Sequence, residues 1–274
     1  MIMNCSFDSD NKEQKLFYAK LSDLAKRADS GSVAHSDFLT PGEQYRAEKY
    51  FSAKEFKDKI CFFGGYFAAE RKQIFLLPEY MSDALGYDGS RAEDLLSEDF
   101  SSAVSAVKIT GSGYRKLSHR DYLGSILSLG IERSSIGDIC PIDDFSAVVF
   151  CCREIEGLIL SELSAIANDK VKVESTEPDV NMPSPHKFEP FSDTVASERL
   201  DCVVASFCNL SREKAQALIK SGLVEHNYEP NLKIDAKVSK NDIISARGYG
   251  KFSVKSISEQ TKKGRIRLFA DKYV

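Results

Sequence analysis

The sequence has no tryptophan, only four histidines and no pair of cysteines spaced C-x-x-C. No apolar run approaches the roughly 18 residues of a membrane span, so a membrane is not expected as a partner. The opening stretch MIMNCSFDSDNKEQK has no basic region followed by an apolar core, so no secretory signal is expected. The seven cysteines are odd in number and scattered, with Cys151 and Cys152 adjacent. That spacing favours buried, reduced thiols in a cytoplasmic protein over a disulfide framework or a zinc site. No G-x-G-x-x-G run is present; Gly111-Ser112-Gly113 is too short for a dinucleotide or methyl-donor loop, and no cofactor is expected.

The chain does hold 17 phenylalanines and 11 tyrosines to fill cores, over 274 residues that are 42% hydrophobic and 28% charged. This is ordinary globular composition, long enough for two or three small domains. The net charge of −4 hides an asymmetry. From Ser192 to Val274 there are 15 Lys and Arg against 10 Asp and Glu, a net of +5, which leaves −9 for the remainder. An acidic body with a basic C-terminal part points to polyanion binding at the C-terminal end.

Residues 1–80 are expected to form an α+β domain. Leu16, Phe17, Leu21, Leu24 and Ala25 share one helical face, and Thr40-Pro41-Gly42-Glu43 spells a capping box with proline in the first turn. Strands are expected over 60–67 and 73–77. Within the next domain, 81–176, strand, helix, strand, strand, helix, strand follow one another. Ser118 caps the first of these helices, and the second runs over 155–166. The order is the split βαβ of ferredoxin-like folds, which RNA recognition motifs share. Its third strand, AVVFCCR, offers only Phe150 where RNA recognition motifs place stacking aromatics, which favours a structural or docking role for this domain. Residues 177–191 hold four of the eight prolines and read as an extended linker.

Residues 192–274 carry the positive charge. A helical run begins at Ser197, and a second helix opens at the N-cap Ser211 and ends at Gly222. IISARGYGKFSVKSI and GRIRLFA read as strands joined by a KKG turn. Two short helices joined by a tight turn bring Arg199, Arg212, Lys214 and Lys220 near one another. Their N–H groups can neutralise phosphates, and Arg212 lies by a helix N-terminus that also favours anions. Arg247 and Lys251 add two cations around glycines that admit a close backbone, and Tyr249 can stack on a base or ribose. The bland reading of these charges is a solvated face.

The pattern Arg199-Leu200-Asp201, Ser211-Arg212, Ala215, Leu218-Ile219, Gly222, Val224, Asn227 and Asp242-Ile243 resembles the S4 RNA-binding domain. It departs at Tyr228 and Asn241, where that family usually has glycine; asparagine tolerates a left-handed turn. Together with FFGGYFAAERKQIFLLPEY, SHRDYLGSILSLGIERSSIGDI and ARGYGKFSV, it extends the resemblance over nearly the whole chain, to the YlmH family of bacterial S4 proteins. The resemblance implies a helical-β N-terminal part, an RRM-like middle and a C-terminal S4 domain. It also implies RNA binding, and together with the charge arrangement above the expectation is a non-catalytic protein that binds rRNA or tRNA through Arg199, Ser211, Arg212, Lys214, Lys220, Asn227, Arg247, Tyr249 and Lys251. The expected partner is the large ribosomal subunit, in rescue or quality control of stalled nascent chains; DNA is not expected.

S4 modules also accompany pseudouridine synthases and rRNA methyltransferases, so an RNA-modifying enzyme is the alternative, although neither active-site motif is found. A protein-interaction adaptor acting through 1–176 is a third. His119-Arg120-Asp121 copies a kinase triplet but lacks the required asparagine five residues on, and helix capping explains it. Asp138, Asp143 and Asp144 read as solvated loop carboxylates more than as a metal site.

Overall fold

The computed structural model describes residues 5–52, 56, 59–81, 103–184, 186–260 and 264–274. The protein is mixed α and β with antiparallel sheets, and the chain divides into two compact units between Pro183 and Ser184. The boundary expected at 80/81 falls beside 82–102, outside the described residues.

In the first unit, α1 (Cys5–Asp29) and α2 (Pro41–Ser52) pack over a sheet of β1 (Ala34–His35), β3 (Gln73–Leu76) and β2 (Ile60–Phe63). Thr40 and Glu43 form the expected capping box: the Thr40 N–H donates to Glu43 Oε2 at 2.7 Å and the Glu43 N–H to Thr40 Oγ1 at 3.4 Å. Leu21, Leu24 and Ala25 are buried on α1, joined by Ala28, but Leu16 is 59% exposed. One residue of helix turns the side chain by about 100°, which takes Leu16 off the stripe centred on Leu21 and Leu24.

Next come β4 (Val104–Thr110), α3 (His119–Leu127), β5 (Ile136–Pro141), β6 (Ser146–Cys152), α4 (Arg153–Glu162) and β9 (Lys172–Thr176), the expected order, with the sheet arranged β5-β6-β4-β9. The second helix stops at Glu162, and Ile166 instead lies in a small hairpin of β7 (Ala165–Ile166) and β8 (Asp169–Lys170). Its burial satisfies the apolar pattern without helix. Both faces of this sheet are covered. Ala147, Val149 and Cys151 of β6 pack toward α3 and α4, while Val148, Phe150 and Cys152 pack against Phe38, Phe63, Tyr66 and Phe75. Phe150 is fully buried and stacks on Tyr66 with ring centroids 4.9 Å apart. A Cβ on Gly65, whose φ is +96°, would stand 2.2 Å from the Phe150 ring, so only glycine lets chain and ring approach.

The stretch expected as linker is shared between the units. Val180 accepts from the Phe67 N–H at 3.0 Å and packs, with Met182, on the first unit's core. Phe188 already opens β10 (Phe188–Val195) of the second. Pro190 is tolerated because β10 is an edge strand. In the second unit one antiparallel sheet runs, from edge to edge, through β10, β15 (Ile266–Tyr273), β14 (Gly250–Gln260), β13 (Ile243–Ala246), β11 (Val224–His226) and β12 (Glu229–Pro230). Helices α5 (Leu200–Phe207) and α6 (Arg212–Lys220) pack on it through Val203, Val204, Phe207, Ala215 and Ile219. The run IISARGYGKFSVKSI is a hairpin of β13 and β14, not one strand, because Gly248 and Gly250 both take positive φ.

Candidate nucleic-acid interface

The two helices of the second unit are tied at their starts by one carboxylate. Asp201, in the first turn of α5, has no exposed surface. Its Oδ1 accepts Arg199 Nε at 3.1 Å; its Oδ2 accepts Arg199 Nη2 at 3.3 Å, Arg212 Nε at 3.0 Å and Gln216 Nε2 at 2.7 Å. Four donors thus meet roughly the four acceptor positions a carboxylate has. Burial works against the charged form, but the bonds from Arg199, Gln216 and Arg212 outweigh it and hold the carboxyl well below the usual range.

The arginines themselves stay accessible, with side chains 37% and 53% exposed for Arg199 and Arg212. Arg212 gives only Nε to Asp201, so its two terminal amino groups remain available to an anion. It occupies the first position of α6, where a cation opposes the helix dipole and backbone N–H groups favour a negative ligand. Asp201 offsets that opposition from below while the guanidinium plane is held toward solvent.

The other expected contacts divide into three sets. Lys214 and Lys220 are exposed on α6, and Lys220 lies about 12 Å of helix rise beyond Arg212. Arg247 joins the Lys220 end, because its N–H donates to the Leu223 carbonyl at 2.9 Å, and the exposed Tyr249 follows in the same turn. Ser211 serves as N-cap of α6, accepting from the Lys214 N–H at 3.4 Å. Asn227 acts within the fold, where its amide donates to Asp242 at 2.8 Å and its oxygen accepts from the Ile243 N–H at 2.8 Å. Both Asn227 and Tyr228 take positive φ, the geometry of a two-residue hairpin turn, so Tyr228 occupies the left-handed position where the S4 pattern has glycine. Lys251 stands apart, over the rings of Tyr228 and Tyr273.

In the sequence Asp201 is only one letter of a motif; nothing local announces that it is buried beneath two arginines. In the first unit, Asp138 is buried rather than solvated. It accepts from the Tyr66 hydroxyl at 2.8 Å and from the N–H groups of Glu70 and Arg71 at 2.6 and 3.1 Å. Asp143 bonds the Phe145 N–H at 2.8 Å, and Asp144 pairs with Lys116. Among the described residues no group of His, Cys, Asp or Glu is placed to hold a metal ion. Six cysteines are free and buried, and burial pushes the Cys61, Cys151 and Cys152 thiols up to about 12. Ser118 and Asp121 form a complete capping box, which accounts for the kinase-like triplet.

A family model described as "Putative RNA-binding domain in YlmH" matches residues 96–179. A curated relative, "Ribosome-associated protein quality control protein P2" of Bacillus subtilis (strain 168), is 30% identical over 234 residues, covering 85% of this chain and 84% of that one. The chain belongs to the YlmH family. A solved structure, "Cell division protein ylmH from Streptococcus pneumoniae", is 19% identical at a TM-score of 0.44, over 60% of this chain and 91% of that one. The YlmH domain match covers the β4–β9 sheet, for which the sequence alone favoured a structural or docking role.

Proposed function

We propose that this chain is a non-catalytic RNA-binding protein that associates with rRNA or tRNA on the large ribosomal subunit. In this reading it acts in rescue or quality control of stalled nascent chains, in the cytoplasm. The β4–β9 sheet is RRM-like, and the second unit is an S4 domain. The observation that carries the reading is the Asp201 anchor. One buried carboxylate fixes two half-exposed arginines at the start of the helix pair, a pre-organised site for phosphate. The family membership and the name of the Bacillus relative support the ribosome as the place where that site is used.

The test is sedimentation of the tagged chain through sucrose gradients at low and moderate salt, beside an Arg212→Ala/Lys214→Ala variant. Co-migration with the large subunit, lost in the variant, is expected. On isolated RNA the same variant lowers the slope of affinity against salt by about one unit per lost phosphate contact. Sedimentation of the unmodified chain only at the top of the gradient, at both salts, overturns the ribosomal reading.

A further inference from the structure

The loop between β4 and α3 is fastened at both ends and bare at its tip. At one end the Gly111 N–H donates to the Phe145 carbonyl at 2.8 Å, and Ser112 gives its N–H to Asp169 at 3.0 Å and its hydroxyl to the same carboxylate. A Cβ on Gly111 would stand 2.7 Å from that carboxylate and 3.0 Å from the Leu117 side chain, so glycine leaves room for the close approach. At the other end the Leu117 N–H donates to the Asp144 carbonyl at 2.9 Å, and its side chain is buried in the core. Between these anchors Tyr114 is 96% exposed, the most exposed large hydrophobic side chain among the described residues. A solvated ring on an anchored loop contributes nothing to the core, and its faces are open to a planar ligand.

Cations surround it. Arg115 and Lys116 follow directly, each in a surface ion pair, with Asp121 at 3.4 Å and with Asp144. Arg120, exposed in the first turn of α3, makes no ion pair among the described residues. The nearby carboxylates are already engaged: Asp121 caps α3, Asp143 bonds the Phe145 N–H and Asp169 holds Ser112. Exposed pairs such as those of Arg115 and Lys116 are weak enough to exchange for a phosphate. The sheet face on which an RRM-like domain would stack bases is meanwhile occupied by Phe38, Phe63, Tyr66 and Phe75. Any RNA contact of this domain therefore has to lie elsewhere on it.

We propose that Tyr114 is the centre of a second RNA contact, stacking on one unpaired base while Arg115, Lys116 and Arg120 meet the flanking phosphates. The inference rests on the reading of the chain as an RNA binder and extends it to a site outside the S4 domain. With one ring and few uncommitted cations, the loop suits a flipped or single-stranded nucleotide and not a duplex backbone.

The absence of tryptophan supplies the test, because Tyr114→Trp introduces a single indole reporter into the full-length chain. Its emission is followed while a single-stranded oligoadenylate of about ten nucleotides, or a duplex of equal length, is added. Binding is read separately by anisotropy of the labelled RNA, also for Tyr114→Ala, Tyr114→Phe and Arg212→Ala/Lys214→Ala. The expected result is saturable quenching by the single strand, retained in the Arg212→Ala/Lys214→Ala background. Tyr114→Ala weakens single-strand binding at least about fivefold and Tyr114→Phe leaves it near the starting value. RNA that binds with no change in emission and no loss in Tyr114→Ala overturns this site while leaving the S4 reading intact. Equal quenching by the duplex overturns the unpaired base as ligand. No binding of either RNA by the unmodified chain overturns both readings.

Discussion

Asp138 in the first unit and Asp201 in the second are both buried among several donors, and those donors differ in kind. Asp138 is surrounded by donors that belong to the fold itself: a buried phenol and two backbone N–H groups. Burial pushes the Tyr66 phenol well above its ordinary value, with Cys140 and Asp138 adding to the shift, so it stays a donor. Asp201 is surrounded by side chains that reach it from the surface, two of them arginines still open to solvent. One carboxylate closes the joint between the 64–71 turn and β5; the other ties two solvent-exposed arginines, which in the proposed reading meet RNA phosphate. Burial by itself therefore does not tell the two carboxylates apart. What separates them is whether their partners end in the core or in solvent.

Removing each carboxylate puts this contrast under the heaviest load. Asp138→Ala strands a phenol and two N–H groups, and Asp201→Ala leaves two arginines without their counter-ion. Each is expected to cost about 2–4 kcal/mol in urea unfolding followed by circular dichroism. RNA affinity, measured under conditions where both variants remain folded, should fall for Asp201→Ala and stay unchanged for Asp138→Ala. Equal losses for the two variants would remove the distinction.

Acid should bring the contrast out further. The folded carboxyl of Asp201 lies below its unfolded value of about 4, so its contribution is present above that pH and is lost as pH falls toward the depressed folded value. Amide exchange protection in α5 and α6, taken relative to the intrinsic rate at each pH, should fall below about pH 4, and the part due to this group should vanish in Asp201→Asn. Asp242, also lowered as bonds from His226 and Asn227 outweigh its burial, contributes in the same direction and persists in that variant. The smallest effect concerns Ser211. As an N-cap its replacement by alanine should cost about 1 kcal/mol and leave the salt slope of RNA binding unchanged. A lowered slope would make the hydroxyl an RNA contact instead.

The capping boxes at Thr40–Glu43 and Ser118–Asp121 are legible in the sequence because every atom involved lies within one turn of chain. The strand–helix order of the middle sheet and the register of Ser211, Gly222 and Asn227 are legible for a related reason, since they follow from local turn and period. Local pattern misplaces Leu16, Ile166 and residues 188–191, where apolar side chains can be satisfied by more than one neighbour. The solvated reading of Asp138 fails because Tyr66, Glu70 and Arg71 lie about 70 positions away in sequence. Tyr114 carries no local signal, because exposure is a property of what does not pack.

Helix starts, the basic C-terminal end and membership of the family are all written in the order of residues, because each depends on neighbours in the chain or on motif register. The covering of Phe150, the place of Asp201 beneath two arginines and the solvent-held tyrosine of the loop after β4 come from the folded arrangement alone. Burial, ion pairing and exposure are set by segments far apart in the chain. Hydrophobic and Coulomb forces act on distances in space and not on sequence separation.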